Sequence, residues 1–187
     1  ERRYKTDPHR GMLVVRGAGQ GKRCLPSIMR RATGAGGSIA GFWDGMSLPD
    51  VRYPARAAKA GGADAVSLIN TISSIISVDL DQFAPEPTID GKGTHGGYCG
   101  PAVKPIALNM VASIARDAET AGLPISGIGG VTTWRDAAEF LTLGAENVQV
   151  CTAAMTYGFK IIEELVEGLE QWMDNAGHPD LDSIHGR

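Results

Sequence analysis

The sequence predicts an α/β protein with parallel strands, and three observations carry that expectation. From about residue 47 onward, helical and strand-like patterns alternate with mostly short links between them. The strand-like runs are continuously apolar, as strands buried on both faces must be. Most of the 25 glycines sit at the ends of those elements. Strand, helix and strand in that order imply right-handed crossovers between parallel neighbours.

The elements follow in order. Tyr53-Pro54 marks a helix start, with proline in the first turn, and Gly61-Gly62 ends that helix. Residues 63–70 (ADAVSLIN) read as a buried strand. Residues 71–104 form a long connection rich in Pro, Gly and Asp, a length that in compact domains usually signals function. A helix over 105–121 places Ile106, Met110, Val111, Ile114 and Ala118 on one face, and Gly122 stops it. The next strand covers 123–128 and leaves through Gly129-Gly130. Thr133 with Asp136 forms a capping-box pattern for a helix ending at Gly144. Residues 147–151 (NVQVC) are the last strand. A helix over 159–173 carries Ile161, Ile162, Leu165, Leu169, Trp172 and Met173 in one stripe, which predicts a helix covering a sheet.

The first 47 residues differ in kind. Only 13–15 resembles a strand and 27–32 a helical turn, and the rest is rich in Gly, Arg and Ser. They hold nine Lys/Arg against three acids, whereas the remainder holds nine against eighteen. Residues 1–47 are therefore read as a basic Gly/Arg-rich leader, poorly ordered or atypical, and 48–187 as the organised domain. Few aromatics interleave with the basic residues, so nucleic acid is not an expected partner. Glycine-rich 17–22 lacks the spacing and the Ser/Thr of a P-loop.

Composition narrows the class further. No run of about 18 apolar residues exists, which excludes a membrane-spanning helix, and no signal segment opens the chain. Cys24, Cys99 and Cys151 are far apart without a CxxC pair, so no zinc or iron–sulfur site is expected. That usage points to a reducing, cytoplasmic setting. At 187 residues the chain falls short of the about 250 that a complete eight-stranded β/α barrel needs.

Candidate chemistry concentrates at strand ends. In β/α barrels the loops after the last two strands often bind phosphate. Ile128-Gly129-Gly130 lets the backbone approach an anion and aim successive N–H groups at it, and the following helix is expected to add its positive end. Cys151-Thr152 at the last strand's end offers amides and a hydroxyl. Asn70-Thr71, at the end of an earlier strand, pairs a carboxamide donor and acceptor with a hydroxyl. That pair suits a planar imide or amide edge, or simply an Asx or Ser/Thr turn. Gly100, in the run GGYCG, allows close approach to a flat ligand. Lys104 reads as an exposed lysine at a helix start, His95 as a solvated loop histidine, and Cys99 as a thiol with no base beside it in sequence.

Several segments together resemble one family. ADAVSLINT (63–71), GGYCGPAVKPIAL (96–108), ISGIGGV (125–131) and DAAEFLTLGAENVQVCTAAM (136–155) are similar, in order and spacing, to the C-terminal barrel half of the dihydropyrimidine dehydrogenase family, above all its bacterial NAD-dependent form. SVDLDQFAPEPTIDG (77–91) fits that form too. The resemblance implies an α/β fold that is part of a (β/α)8 barrel, its C-terminal half with parallel strands and flanking helices, in which 48–187 binds FMN. It implies interconversion of uracil or thymine with their 5,6-dihydro forms. By the same resemblance, Asn70 and Thr71 hold the pyrimidine, and Gly100, Ile128, Gly129, Gly130, Cys151 and Thr152 hold FMN, chiefly its phosphate.

The departures shape the remaining expectations. The family's general-acid cysteine lies upstream of the matching region, so no catalytic residue and no metal ligand is assigned. NAD(P)H and iron–sulfur clusters are expected only through missing regions or a partner subunit, and the expected assembly is with a redox partner subunit or as a homo-oligomer. The shortfall in length is read as a truncated reading frame. The alternatives are an inactive fragment, a non-catalytic FMN- or phosphate-binding module, and a dihydroorotate dehydrogenase-like enzyme, against which the long 77–100 loop counts.

Overall fold

Residues 39–41, 50–90, 92–93 and 95–187 are described by the structure, a computed structural model. The runs 13–15, 17–22 and 27–32 lie outside them. Four strands form one parallel sheet in the order β1 (Ile39–Gly41), β2 (Ala65–Leu68), β9 (Ile125–Ile128) and β10 (Asn147–Gln149). This is the architecture expected of part of a parallel β/α barrel. The first of these strands lies upstream of the division drawn at 47 and pairs Ile39 through Gly41 with Ala65 through Ser67.

Burial on the sheet is one-sided. Val66, Leu68 and Ile125 are buried against α1 (Arg52–Ala60), α2 (Lys104–Ala115) and α3 (Trp134–Thr142). Ala55, Ala58, Ala107, Val111, Ile114 and Phe140 supply the helical side of that core. Gly127 faces Phe140 so closely that a Cβ there would fall 2.6 Å from the ring. The opposite face is polar. Ser67, Ser126 and Asn147 share one level of the register, and Gln149 follows two residues on. Barrel interiors are usually filled with bulky branched side chains, so this face departs from the rule.

The long connection after β2 is not the irregular loop its composition predicts. It folds into three small antiparallel pairs: β3 (Ile72–Ser74) with β8 (Gly96–Tyr98), β4 (Ser77–Asp79) with β5 (Ala84–Glu86), and β6 (Thr88–Ile89) with β7 (Lys92–Gly93). Ladders of two or three residues, interrupted by Pro85 and Pro87, are too short to set up a readable alternation. Ile75, Ile76, Val78, Leu80 and Phe83 are exposed on this ribbon.

Two helices differ from expectation. The segment predicted as a helix to 121 stops at Ala115, because the Asp117 side chain accepts from the Glu119 N–H and starts a separate 3-10 turn, Ala118–Thr120. Thr120 Oγ1 then donates back to the Ile114 carbonyl at 2.7 Å. Asp117 also binds Arg56 at 2.7 Å, which holds its carboxyl below the usual range and ties α1 to this turn. The last long helix, α5 (Lys160–Ala176), packs mainly on α3 and on α4 (Thr152–Tyr157) rather than on the sheet. Gly168 makes room there for Trp134, which stacks on Trp172 with ring centroids 5.9 Å apart. Ile161, Leu165 and Met173 of its stripe are buried, while Ile162 is 42% exposed because it lies one step off the contact line. Among the described residues no helix is long and apolar enough to cross a membrane.

Candidate functional site

The C-terminal ends of β2, β9 and β10 open on one side of the sheet, where β8 also delivers its chain end. One cleft of about 270 Å³ lies there, and all eight residues singled out from the sequence line it: Asn70, Thr71, Gly100, Ile128, Gly129, Gly130, Cys151 and Thr152. Residues from 70 to 152 are thus brought together by the crossovers. Cys99, Gln149 and Met155 join them, as do Ile69, Val103 and Val131. Exposed His95 does not line the cleft.

Two turns meet at its wall. Gly130 has φ +74°, and a Cβ there would lie 2.6 Å from the Gly100 carbonyl oxygen and 3.0 Å from Pro101 Cα. Only glycine lets the exit of β9 press against the entry to α2 in this way. Gly100 itself has φ +81°, and a Cβ on it would sit 4.0 Å from Thr152 Cγ2. The N–H groups of Gly129, Gly130 and Cys151 donate to no acceptor among the described residues. Free amides in a tight glycine turn suit an oxyanion. A phosphate with its three oxygens fits this donor set, and bulkier residues would close it.

The helix beyond the turn behaves otherwise than predicted. Thr133 and Asp136 make the expected capping box at the start of α3. Asp136 Oδ2 accepts from the amides of Thr132 (2.9 Å) and Thr133 (2.7 Å) and from both hydroxyls at 3.0 Å. The positive end of α3 is therefore occupied by the chain's own carboxylate and is not free for an external anion. Lys104 is no exposed lysine either. It donates to Asp136 Oδ1 at 2.6 Å and Glu139 Oε2 at 2.8 Å, which raises its pKa. Burial works to raise the Asp136 pKa, but the Lys104 ammonium and the Thr132 and Thr133 donors outweigh it and hold the carboxyl well below the usual range. The donors that remain free at this wall are backbone amides, with the Thr152 hydroxyl beside them.

Asn70 Oδ1 accepts from the Thr71 N–H at 2.7 Å, the local turn that composition alone left open, which commits one of its two lone pairs and leaves both Nδ2 protons free to donate. Thr71 packs closely over Gly97, where a Cβ would come within 2.4 Å of its Oγ1.

Gln149 was not among the candidates. Its only sequence signal is a polar residue at an inward position of NVQVC, in step with Asn147. Among the described residues no group of three His, Cys, Asp or Glu is placed to hold a metal ion.

With the geometry in hand, known proteins can be set beside it. A family model described as dihydroorotate dehydrogenase matches residues 48–173. The NAD-dependent dihydropyrimidine dehydrogenase subunit PreA of Escherichia coli (strain K12) is 44% identical over 140 residues, covering 75% of this chain and 34% of that protein. The catalytic subunit of dihydroorotate dehydrogenase B (NAD(+)) of Thermococcus kodakarensis is 41% identical over 140 residues, 75% of this chain and 44% of that one. The chloroplastic dihydropyrimidine dehydrogenase (NADP(+)) of Arabidopsis thaliana is 37% identical over 143 residues, 75% of this chain and 34% of that one. The chain spans between a third and a half of the length of these relatives.

Proposed function

The chain belongs to the dihydroorotate dehydrogenase family, and from that premise we propose that its cleft binds FMN by the phosphate and a pyrimidine base beside it. The activity we assign is that of an oxidoreductase interconverting uracil or thymine with the 5,6-dihydro bases. One observation carries the reading: residues from four separate chain ends converge on a single cleft whose wall holds unpaired amides.

In this reading Gly129, Gly130 and Cys151 present N–H groups to the phosphate, and the Thr152 hydroxyl adds another donor. Gly100 and Ile128 let the flat ring lie close to the backbone. Asn70 donates from Nδ2 to a ring carbonyl oxygen of the pyrimidine, with Thr71 beside it. When bound, FMN supplies hydride transfer to or from the base. None of these residues is assigned the proton at the neighbouring carbon. The volume of about 270 Å³ is just under the about 300 to 1,000 Å³ of ordinary small-ligand sites. The described walls thus accommodate the phosphate and adjoining chain more readily than a whole flavin with its substrate. NAD(P)H and iron–sulfur centres are assigned to a redox partner subunit, in keeping with the word subunit in the names of the bacterial and archaeal relatives. A cytoplasmic setting follows from the same reading.

Titrating FMN into the purified full chain, followed by quenching of flavin fluorescence, tests this directly. Saturation near one FMN per chain is expected, and Thr152→Ala should weaken FMN by about tenfold while leaving phosphate-free riboflavin unaffected. Absence of saturable FMN binding would sink the reading. On the FMN-loaded chain, Asn70→Ala should weaken uracil by about tenfold, the worth of one buried donor. The 41% identity to a dihydroorotate dehydrogenase subunit supports a second reading, in which the base is orotate. Stronger binding of orotate than of uracil would favour it.

A further inference from the structure

Gln149 stands at the floor of the cleft in an unusual setting. It lies on the inner face of β10, and its Nε2 donates to Ser67 Oγ on β2 and to Ser126 Oγ on β9, each at 2.7 Å. Ser126 in turn donates its single proton to Asn147 Oδ1. That bond leaves Ser126 only lone pairs to offer Gln149, which fixes the carboxamide with its nitrogen toward the serines. Both amide protons are then occupied. Oε1 remains, and it accepts from none of the described residues; nor is it among their buried unsatisfied atoms. Three strands therefore cooperate to hold one acceptor, in a fixed orientation, where it can meet a ligand. A packed barrel interior needs no such device.

Position narrows what that acceptor meets. Gln149 precedes Cys151 by two residues, about 7 Å along a strand. An anion seated on the amides of Gly129, Gly130 and Cys151 therefore has Gln149 roughly one short carbon chain away. We propose that Gln149 is a positioning residue whose Oε1 accepts a hydrogen bond from a hydroxyl of the polyol chain between the phosphate and the ring of the bound flavin nucleotide. This rests on the FMN reading above and adds to it a residue that holds the linker rather than the phosphate or the base. Asn70, with both Nδ2 protons free to donate, and Gln149, limited to accepting, then give the cleft complementary polarity at two depths.

The test uses the full chain and ligand affinity alone. Gln149→Met, close in length but without an acceptor of comparable strength, should weaken FMN by about tenfold, the effect of one lost hydrogen bond to a buried hydroxyl. The inhibition constant of inorganic phosphate against FMN should not change. Gln149→Glu keeps an acceptor oxygen, and riboflavin removes phosphate repulsion from the comparison; this variant should bind riboflavin within about threefold of wild type. Unchanged FMN affinity in Gln149→Met would overturn the proposal. So would a parallel loss of FMN and inorganic phosphate, since a merely structural glutamine would produce that. A wild-type chain that takes up no FMN removes the functional reading and this one together, whereas normal FMN binding with an indifferent Gln149 removes this one alone.

Discussion

Replacing Asp136 with alanine is expected to destabilise the chain by about 2 to 3 kcal/mol, combining the loss of a helix cap with the breaking of a half-buried ion pair. The side chain is only 10% exposed and has no idle oxygen: one takes four donors from Thr132 and Thr133, the other takes Lys104. Alanine would leave the N–H groups of Thr132 and Thr133 without their acceptor at the entry to α3, and Lys104 with Glu139 alone. The same geometry sets a pH dependence. A carboxyl held below its unfolded value contributes stability that is complete above about pH 4 and is lost as pH falls toward the folded value. Urea denaturation from pH 7 to pH 3 should therefore show a declining unfolding free energy in wild type and a flatter profile in Asp136→Asn. Parallel profiles would refute the assignment.

Gly130→Ala should be still more damaging to the cleft. The residue sits at φ +74°, where an L side chain costs about 1 to 2 kcal/mol. Its new methyl would also lie 2.6 Å from a backbone carbonyl, and backbone cannot yield as a side chain does. The two turns must separate, carrying the free amides away from their common focus. A fall in FMN affinity of at least about a hundredfold is expected, with about 2 to 4 kcal/mol of lost stability. Gly122→Ala provides the control, because φ there is +76° but nothing lies within 4 Å of the added Cβ. It should show the conformational cost of about 1 kcal/mol and leave FMN binding intact. Fluorescence titration and denaturation of both variants separate the two effects.

Much of this was legible from sequence for specific reasons. The strands at 65–68 and 125–128 announce themselves because Val66, Leu68 and Ile125 are buried against the helices, so short apolar stretches end in the turn residues that follow them. The Gly129-Gly130 turn is readable because close backbone approach admits so few residue types. Thr133 and Asp136 declared a helix start through spacing alone. The rest depended on partners distant in sequence. Nothing local in Lys104 reveals a carboxylate 32 residues on, so both its pairing and the neutralised start of α3 stayed hidden. Asp117 ends α2 by capping a new turn while also binding Arg56, 61 residues away, and a helical pattern reads straight through it. Gln149 gains its meaning from Ser67, 82 residues away.

The ribbon built from β3 through β8 has a bearing on how such a protein can diversify. It leaves the sheet after Asn70 and runs through Gly100 into α2, both residues lying on the rim of the cleft, while none of its described side chains is a buried member of the core beneath the sheet. Among its described residues Ile72 alone reaches that core's edge. Doubling a connection of this kind adds only about 0.6 kcal/mol to the entropy of closing it. The ribbon can therefore be lengthened, shortened or rewritten almost independently of the framework, reshaping the rim of the cleft while the amides of Gly129, Gly130 and Cys151 keep their places.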